Sequence, residues 1–182
     1  YVLLMSFLLL KKKHPKITAL GILIGLAVCV ALSWLEPRLY DTQISVIDVG
    51  QGQSILLKSD DAYYLVDCGS EKQDAADTVA NYLLSQGITQ LDGLILTHYD
   101  THHAGAAPQL LPSVPTAKIY MPNTQDTNGL RVAIESNFME HVELISDTQK
   151  LNISGGEITF YPSNSTVSDN ESSMCVLFQR EN

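Results

Sequence analysis

Hydrophobic positions along the chain follow two different patterns, which meet near residue 36. Residues 17–35 read ITALGILIGLAVCVALSWL, a run of 19 residues without a charge. Since a helix rises about 1.5 Å per residue, this run matches the roughly 30 Å hydrocarbon core of a bilayer. Residues 1–10, YVLLMSFLLL, are also apolar, as expected for the end of an earlier membrane segment. The pattern predicts a transmembrane helix over residues 17–35.

A basic loop separates the two apolar stretches, because residues 11–16 read KKKHPK. Basic loops stay on the cytoplasmic side of membranes, so the helix is expected to place the residues that follow it outside the cytoplasm. A cleaved signal peptide is the alternative, but the run is long for one and lacks a small-residue cleavage pattern before Glu36-Pro37. We therefore expect a cell-membrane protein whose larger part is extracytoplasmic.

Beyond a polar linker at residues 36–43, short apolar runs rich in β-branched residues predict strands. A polar turn of hairpin length, Ser59 to Asp61, joins the second strand to the third. Residues 72–87 place apolar side chains at helical spacing and end at Gly87, where a C-cap glycine belongs. A second helix is predicted at about residues 129–139. The predicted strands are 44–49, 54–58, 62–68, 91–97, 117–121, 142–145, 157–161 and 173–178.

Strands that alternate with helices, with hairpins among them, are typical of an α/β (α+β) domain that has helices on the faces of a mixed sheet. Residues 44–182 are long enough for one such domain. From residue 36 onward, seven Lys and Arg stand against all 20 Asp and Glu of the chain, a formal charge of −13. A region this acidic, without a cluster of Lys or Arg, excludes strong binding of nucleic acid by counterion release alone.

One segment concentrates potential metal ligands: residues 97–106, THYDTHHAGA, begin where a predicted strand ends. Side chains two apart on an extended loop point the same way, so His98 and Asp100 are expected to converge on one cation. The adjacent His102 and His103 point apart and are able to serve different centres, as in binuclear hydrolases. Imidazole and carboxylate together suit zinc, manganese or iron. A polar loop whose histidines only form hydrogen bonds is the alternative interpretation.

This segment resembles the signature of the metallo-β-lactamase superfamily, His-x-His/Asp-x-Asp-His followed by glycine. The stretches ISVIDVGQGQSILL, YYLVDCG, YLLSQGITQLDGLILTHYD and NESSMCVLF are similar to the extracellular hydrolase domain of the ComEC-type DNA-uptake (competence) channels. The resemblance runs from about Ile44 to Phe178. It implies a metallo-β-lactamase-like αβ/βα sandwich with two divalent metal ions, zinc or manganese. The implied activity is metal-dependent hydrolysis of phosphodiester bonds in DNA during transformation.

The resemblance also assigns roles to individual residues. His98 and Asp100 match ligands of one metal, and His103 matches a ligand of the other. Asp48, in DVGQG, and Asp100 are the expected catalytic carboxylates. The implied partners are the membrane, DNA delivered by the channel, and the rest of the uptake machinery.

The chain departs from the family pattern at two carboxylates. His102 stands where the family has an aspartate before the last histidine; a histidine is still able to ligate a metal, but a negative charge is lost. Gln53 stands where the family usually has aspartate, and with Asp67 and Gly105 it is expected to shape the site. Both changes predict weaker metal binding or lost catalysis. A non-catalytic module for channel assembly or DNA guidance is therefore the second hypothesis, and a hydrolase of a small ester or lactam is the third.

The ends of the chain carry a further expectation. In the family, the strand that resembles SMCVLF is followed by another strand, a Thr-Gly-Asp and a later histidine. This sequence starts without methionine and stops at Asn182, so we expect a fragment whose hydrolase domain is completed by a further C-terminal part.

Overall fold

The computed structural model describes residues 15–35, 41–163 and 170–181. The predicted membrane segment at residues 1–10, most of the basic loop and most of the linker lie outside the described residues. The middle of the polar loop before the last predicted strand does so as well.

The first of two compact units comprises residues 1–40, and its described part is one helix, α1 (Pro15–Leu35). Large apolar side chains on all sides of α1 are exposed, among them Leu23 and Val30. The segment from Lys16 to Ser33 has a mean hydropathy of 2.2. The predicted apolar helix is thus present, and by length and composition it is able to cross a membrane.

Nine strands build the described part of the second unit, residues 41–182. They are β1 (Thr42–Val46), β2 (Ile55–Ser59), β3 (Ala62–Val66), β4 (Leu91–Ile95), β5 (Thr116–Pro122), β6 (Val142–Ile145), β7 (Gln149–Ile153), β8 (Gly156–Tyr161) and β9 (Cys175–Arg180). Strands β1 to β6 form one sheet in chain order, and β7 to β9 form a second. The pairs β1–β2 and β2–β3 are antiparallel, whereas β3 to β6 run parallel. The predicted mixed sheet is confirmed.

Helices connect the parallel strands. They are α2 (Ala75–Ser85), α3 (Thr101–Ala104), α4 (Ala107–Leu110), α5 (Leu130–Phe138) and a short 3₁₀ helix (Met139–His141). Helix α2 ends at Ser85, and Gly87, which has a φ of 74°, follows it where the sequence predicted a capping glycine. There the Gly87 N–H donates to the Leu84 carbonyl and the Ile88 N–H donates to the Leu83 carbonyl, each at 2.9 Å. This pair of bonds closes the helix end and requires the left-handed backbone that glycine adopts without strain.

Two hydrophobic cores lie on the two faces of the six-stranded sheet. Helices α2, α4 and α5 cover one face, through Val79, Leu110 and Ile134 among others. The three-stranded sheet covers the other face, where Tyr120 of β5 stacks on Phe160 of β8 with ring centroids 5.2 Å apart. Each fully buried side chain of this size contributes about 1.5–3 kcal/mol to folding. The described residues therefore form a layer of helices and two layers of sheet, an arrangement that belongs to the expected metallo-β-lactamase-like sandwich.

Two features differ from the sequence prediction. Strand β7, QKLNI, was not predicted, because its side chains alternate between partly buried and exposed positions and its apolar content is low. The metal-ligand segment was predicted as an extended loop, but α3 lies within it and α4 begins directly after it. His102 and His103 thus occupy a helical turn, and the extended geometry holds only up to Asp100.

Candidate functional site

Three loops meet where β3 and β4 end, and backbone hydrogen bonds join them. The Gln53 N–H, in the β1–β2 loop, donates to the His102 carbonyl at 2.8 Å. After β3, the Cys68 N–H donates to the His103 carbonyl at 2.8 Å, and the Cys68 carbonyl accepts from Ala106 at 2.9 Å. The three loops therefore form one framework around the histidine segment.

Two glycines allow these loops to approach so closely. A Cβ atom on Gly52 would lie 1.9 Å from the Gly69 carbonyl oxygen, and one on Gly69 would lie 2.2 Å from the His103 nitrogen. Both obstacles are backbone atoms, which side-chain movement cannot clear. The framework thus requires glycine at both positions for reasons of space.

Asp67 is the polar centre of the site, and its side chain is completely buried. Its Oδ1 accepts from the Thr97 N–H at 2.8 Å. Its Oδ2 accepts from the Thr97 hydroxyl at 2.9 Å, the Gln53 amide at 3.1 Å and His103 Nδ1 at 2.8 Å. Asp67 also has a φ of 59°, a left-handed conformation that aspartate tolerates better than most residues. Asp67 and Gln53 therefore lie where a site-shaping role was predicted for them.

His103 is oriented by this buried carboxylate. Its hydrogen bond to Asp67 raises the pKa of the imidazole, against the opposing effect of burial. With Nδ1–H donated to Asp67, the other ring nitrogen, Nε2, carries the lone pair. A carboxylate that fixes the tautomer in this way is a usual partner of metal-binding histidines.

His98 is anchored to the same carboxylate through Thr97. The Thr97 hydroxyl donates to Asp67 and lies 3.0 Å from His98 Nδ1. His98 Nε2 lies 3.1 Å from the Asn170 Oδ1 atom, an acceptor, so this contact is a hydrogen bond when Nε2 carries a hydrogen. Burial, followed by the repulsion of nearby His103, lowers the pKa of His98. Metal binding through Nε2 would therefore require the contact with Asn170 to be displaced.

His102 is arranged differently, since carboxylates engage both of its ring nitrogens. Nδ1 lies 2.8 Å from Asp100 Oδ1, and Nε2 lies 3.3 Å from Glu71 Oε1. Asp100 also caps α3, because its Oδ1 accepts the His102 N–H at 2.8 Å. This backbone bond is the largest cause of the lowered pKa of Asp100. His102, which departs from the family pattern, is thus held by Asp100 and by Glu71.

The remaining predicted residues lie at the margin. Asp48 is exposed and accepts the Gly50 N–H at 3.0 Å within its own loop, so its catalytic role stays a prediction. Gly105 has a right-handed φ of −60°, and a Cβ there would lie 2.5 Å from the Thr101 carbonyl oxygen. Glycine is therefore needed at position 105 because a side chain would clash with the backbone, and not because the backbone is left-handed.

Three contacts of the site were not predicted from the sequence. Thr97 and Asn170 lie within stretches that resemble the family, THYD and NESS, and this was the available signal for them. Glu71 has no such signal, because its contact with His102 depends on how the loop after β3 folds.

Cys68 is buried, and burial raises the pKa of its thiol to about 12, so it is an inert core residue.

The donor types in this loop fit a divalent metal. His98 and His103 lie side by side, with ring centroids 4.1 Å apart, and each is anchored through Nδ1 and presents Nε2. Asp100 adds a carboxylate oxygen, and such mixed donors suit zinc or manganese. Among the described residues, however, no three His, Cys, Asp or Glu side chains converge closely enough to hold an ion. The donor types thus fit one divalent cation, provided that the side chains rearrange to converge on it. The described residues contain no second group of ligands for another ion.

The chain belongs to the metallo-beta-lactamase superfamily, whose model matches residues 47–150, more than half of the sequence. It is 30% identical over 99 residues to Competence protein ComA of Neisseria gonorrhoeae, over 54% of this chain and 14% of that protein. It is 32% identical over 87 residues to Recombination protein 2 of Haemophilus influenzae, over 46% of this chain and 11% of that protein. These matches confirm the predicted resemblance to competence proteins, although the chain spans less than a fifth of either relative.

Solved structures support the fold. MEM-A1, a subclass B3 metallo-beta-lactamase isolated from a soil metagenome library, superposes with a TM-score of 0.55 at 13% identity. The match covers 78% of this chain and 56% of that structure. At this identity the likeness establishes the sandwich architecture and carries no information on the substrate.

The raised pKa of His103 predicts a pH-dependent stability of the metal-free protein. A group whose pKa is raised by folding stabilises fully below its unfolded value, about 6.5, and this stabilisation is lost as the pH rises through the folded pKa. The destabilisation caused by His103→Gln should therefore grow as the pH falls from about 8 to about 6. Urea unfolding of the full chain with chelator present measures this, with His141→Gln as the control. An effect of His103→Gln that is constant across this range would contradict the assigned Asp67–His103 bond.

Proposed function

We propose that this chain carries the metal-dependent hydrolase site of a membrane protein that takes up DNA, and that the site cleaves phosphodiester bonds. The observation that carries the proposal is the buried Asp67, which orients His103 directly and His98 through the Thr97 hydroxyl. Membership of the superfamily and the similarity to Competence protein ComA support it.

In this proposal His98, Asp100 and His103 would hold a divalent cation, which supplies Lewis-acid polarisation of the phosphate and acidification of water. The residues of the chain provide the orientation. Asp67 holds His103 directly and His98 through the Thr97 hydroxyl, and the lowered pKa of Asp100 keeps its carboxylate ionised at neutral pH. Because His103 Nδ1 is engaged by Asp67, Nε2 is the ring nitrogen that would ligate once the imidazole is neutral.

The proposal also covers the surroundings of the domain. Helix α1 crosses the membrane, the basic residues 11–16 stay in the cytoplasm, and the hydrolase domain lies outside it. The formal charge of −13 after residue 36 opposes free DNA, so the uptake machinery delivers the strand.

Cleavage by the full chain in detergent tests the proposal. We expect manganese or zinc to produce cleavage of labelled DNA that chelator abolishes, and Asp100→Asn to remove it. Asp61→Asn, in the exposed β2–β3 turn, is the matched control and should cleave like the native chain. Parallel assays with a small chromogenic lactam and with an ester test the third hypothesis, that the protein hydrolyses a small ester or lactam. Metal-independent cleavage, or cleavage only of the lactam or ester, contradicts the proposal.

The arrangement of His102 favours a second candidate, a module that keeps the fold without catalysis. His102 engages Asp100 Oδ1 and Glu71, and therefore competes for the carboxylate that would hold the metal. If this candidate is correct, the native chain binds no metal, whereas His102→Asp gains metal binding. Gln53→Asp is the poorer reversion, because the Gln53 amide donates to Asp67 and an aspartate would place a second carboxylate against it. Native metal binding that His102→Asp does not improve contradicts this candidate.

A further inference from the structure

Lys72 lies beside the candidate site, in the loop between β3 and α2. Its neighbour Glu71 reaches His102 at 3.3 Å. The buried Ser70 fixes the backbone here, because its hydroxyl donates to the Val49 carbonyl at 2.7 Å and accepts the Lys72 N–H at 3.1 Å. The start of the Lys72 side chain is thus set by the same framework that holds the histidines.

The Lys72 side chain lies over the β1–β2 loop. A Cβ atom on Gly50 would lie 2.5 Å from Lys72 Cε and 2.8 Å from Nζ. Gly50 belongs to the loop whose Gln53 donates to Asp67. The ammonium group therefore sits at the rim of the site, on an exposed side chain.

Lys72 also differs from other cations in its charge environment. Arg131, Lys150 and Arg180 form ion pairs with acidic side chains. Within the described ranges, no carboxylate lies within 4.0 Å of the Lys72 ammonium or of Lys118. Lys118 lies near the start of β5, at the opposite end of the parallel strands from the histidine segment. Lys72 is thus a cation without a competing acidic partner at the rim of the site.

We propose that Lys72 is a substrate-binding residue that contacts a backbone phosphate of the nucleic-acid strand that enters the site. In a domain this acidic, an ammonium group at the rim offers the strand a local attraction where the overall charge repels it. Lysine provides a point charge and three donors, so the contact positions the strand without reading its sequence. This inference rests on the proposed function and adds the residue that holds the substrate.

Binding of a fluorescein-labelled oligothymidylate to the full chain in detergent, measured by anisotropy at several salt concentrations, tests this role. Lys72→Gln should weaken binding about three- to fivefold, the size expected for an exposed charge contact. It should reduce the slope of log K against log salt by about 0.7, the value for one phosphate of a single strand. Lys72→Arg should restore the slope, and Lys118→Gln should match the native chain.

Equal binding by Lys72→Gln and Lys118→Gln overturns the inference, and so does a native chain that does not bind the strand. A cleavage assay separates this failure from failure of the proposed function. If the chain cleaves DNA and Lys72→Gln leaves KM unchanged, the hydrolase function is supported and the role of Lys72 is contradicted. If binding depends on Lys72 but no metal-dependent cleavage occurs, the phosphate contact is supported and the hydrolase function is contradicted. If both proposals are correct, Lys72→Gln raises KM and leaves kcat unchanged.

Discussion

Replacement of Asp67 by alanine is expected to lower the free energy of unfolding by about 3–5 kcal/mol, because it removes the shared acceptor of four donors and each buried group left without a partner costs about 1–3 kcal/mol. The variant leaves the Thr97 N–H, the Thr97 hydroxyl, the Gln53 amide and His103 Nδ1 without their acceptor. Buried donors without a partner are costly, and the left-handed backbone of Asp67 is less favourable for alanine. Since domains are stable by only about 5–15 kcal/mol, the loss is large.

Chemical denaturation of the full chain, followed by circular dichroism, measures this cost. Asp67→Asn keeps the side-chain shape and tolerance of left-handed backbone, so it should fall between the native chain and Asp67→Ala. Asp61→Ala, on the exposed turn, should leave the midpoint unchanged. Asp67→Ala and Asp67→Asn should also lose metal affinity about 10–100-fold, the usual effect of removing the partner of a ligating histidine. An Asp67→Ala midpoint equal to that of Asp61→Ala would show that the network does not hold the site together.

Gly52→Ala is expected to disrupt the loop framework. The new methyl group would lie 1.9 Å from the Gly69 carbonyl oxygen and 2.9 Å from the His102 carbonyl oxygen. This clash is relieved only if the β1–β2 loop moves away from the histidine segment. That movement breaks the backbone hydrogen bond between Gln53 and His102. Overpacking of a close-packed site costs about 1–3 kcal/mol when side chains can adjust, and backbone obstacles should place this variant at or beyond the upper end.

Gly129→Ala is the control for this experiment. Gly129 has a φ of 74°, but a Cβ there would meet nothing within 4 Å, so the variant pays only the conformational cost of about 1–2 kcal/mol. Thermal unfolding of the two variants compares crowding with backbone strain. Equal losses, or a smaller loss for Gly52→Ala, would refute the close approach of the three loops.

The general architecture of the domain could be predicted because local patterns express it. Apolar runs, the Ser59–Asp61 turn and the glycine after α2 predicted the hairpin, the helix and the mixed sheet. Strand β7 escaped prediction because it is stabilised by pairing with β8 and not by a strongly apolar sequence. The helical turn α3 was missed as well, since Asp100, which caps it, was interpreted only as a metal ligand and a catalytic carboxylate.

The site itself was predictable as a set of residue types but not as a network. The spacing of His98, Asp100 and His103 pointed to metal chemistry, and the position of Asp67 to a shaping role. The partners of His98 and His102, namely Asn170 and Glu71, come from segments separated along the chain, so only the folded arrangement reveals them. The same is true of Lys72, whose place at the rim depends on the approach of its loop to Gly50.

Metal stoichiometry tests the central claim most directly. The full chain in detergent is loaded with zinc or manganese, dialysed and analysed by inductively coupled plasma mass spectrometry, beside Asp100→Asn, His103→Gln and the surface control Asp61→Asn. We predict at least one ion per native chain and per Asp61→Asn chain, and a marked loss in the other two variants. A native chain that retains no more metal than Asp100→Asn and His103→Gln would contradict the account.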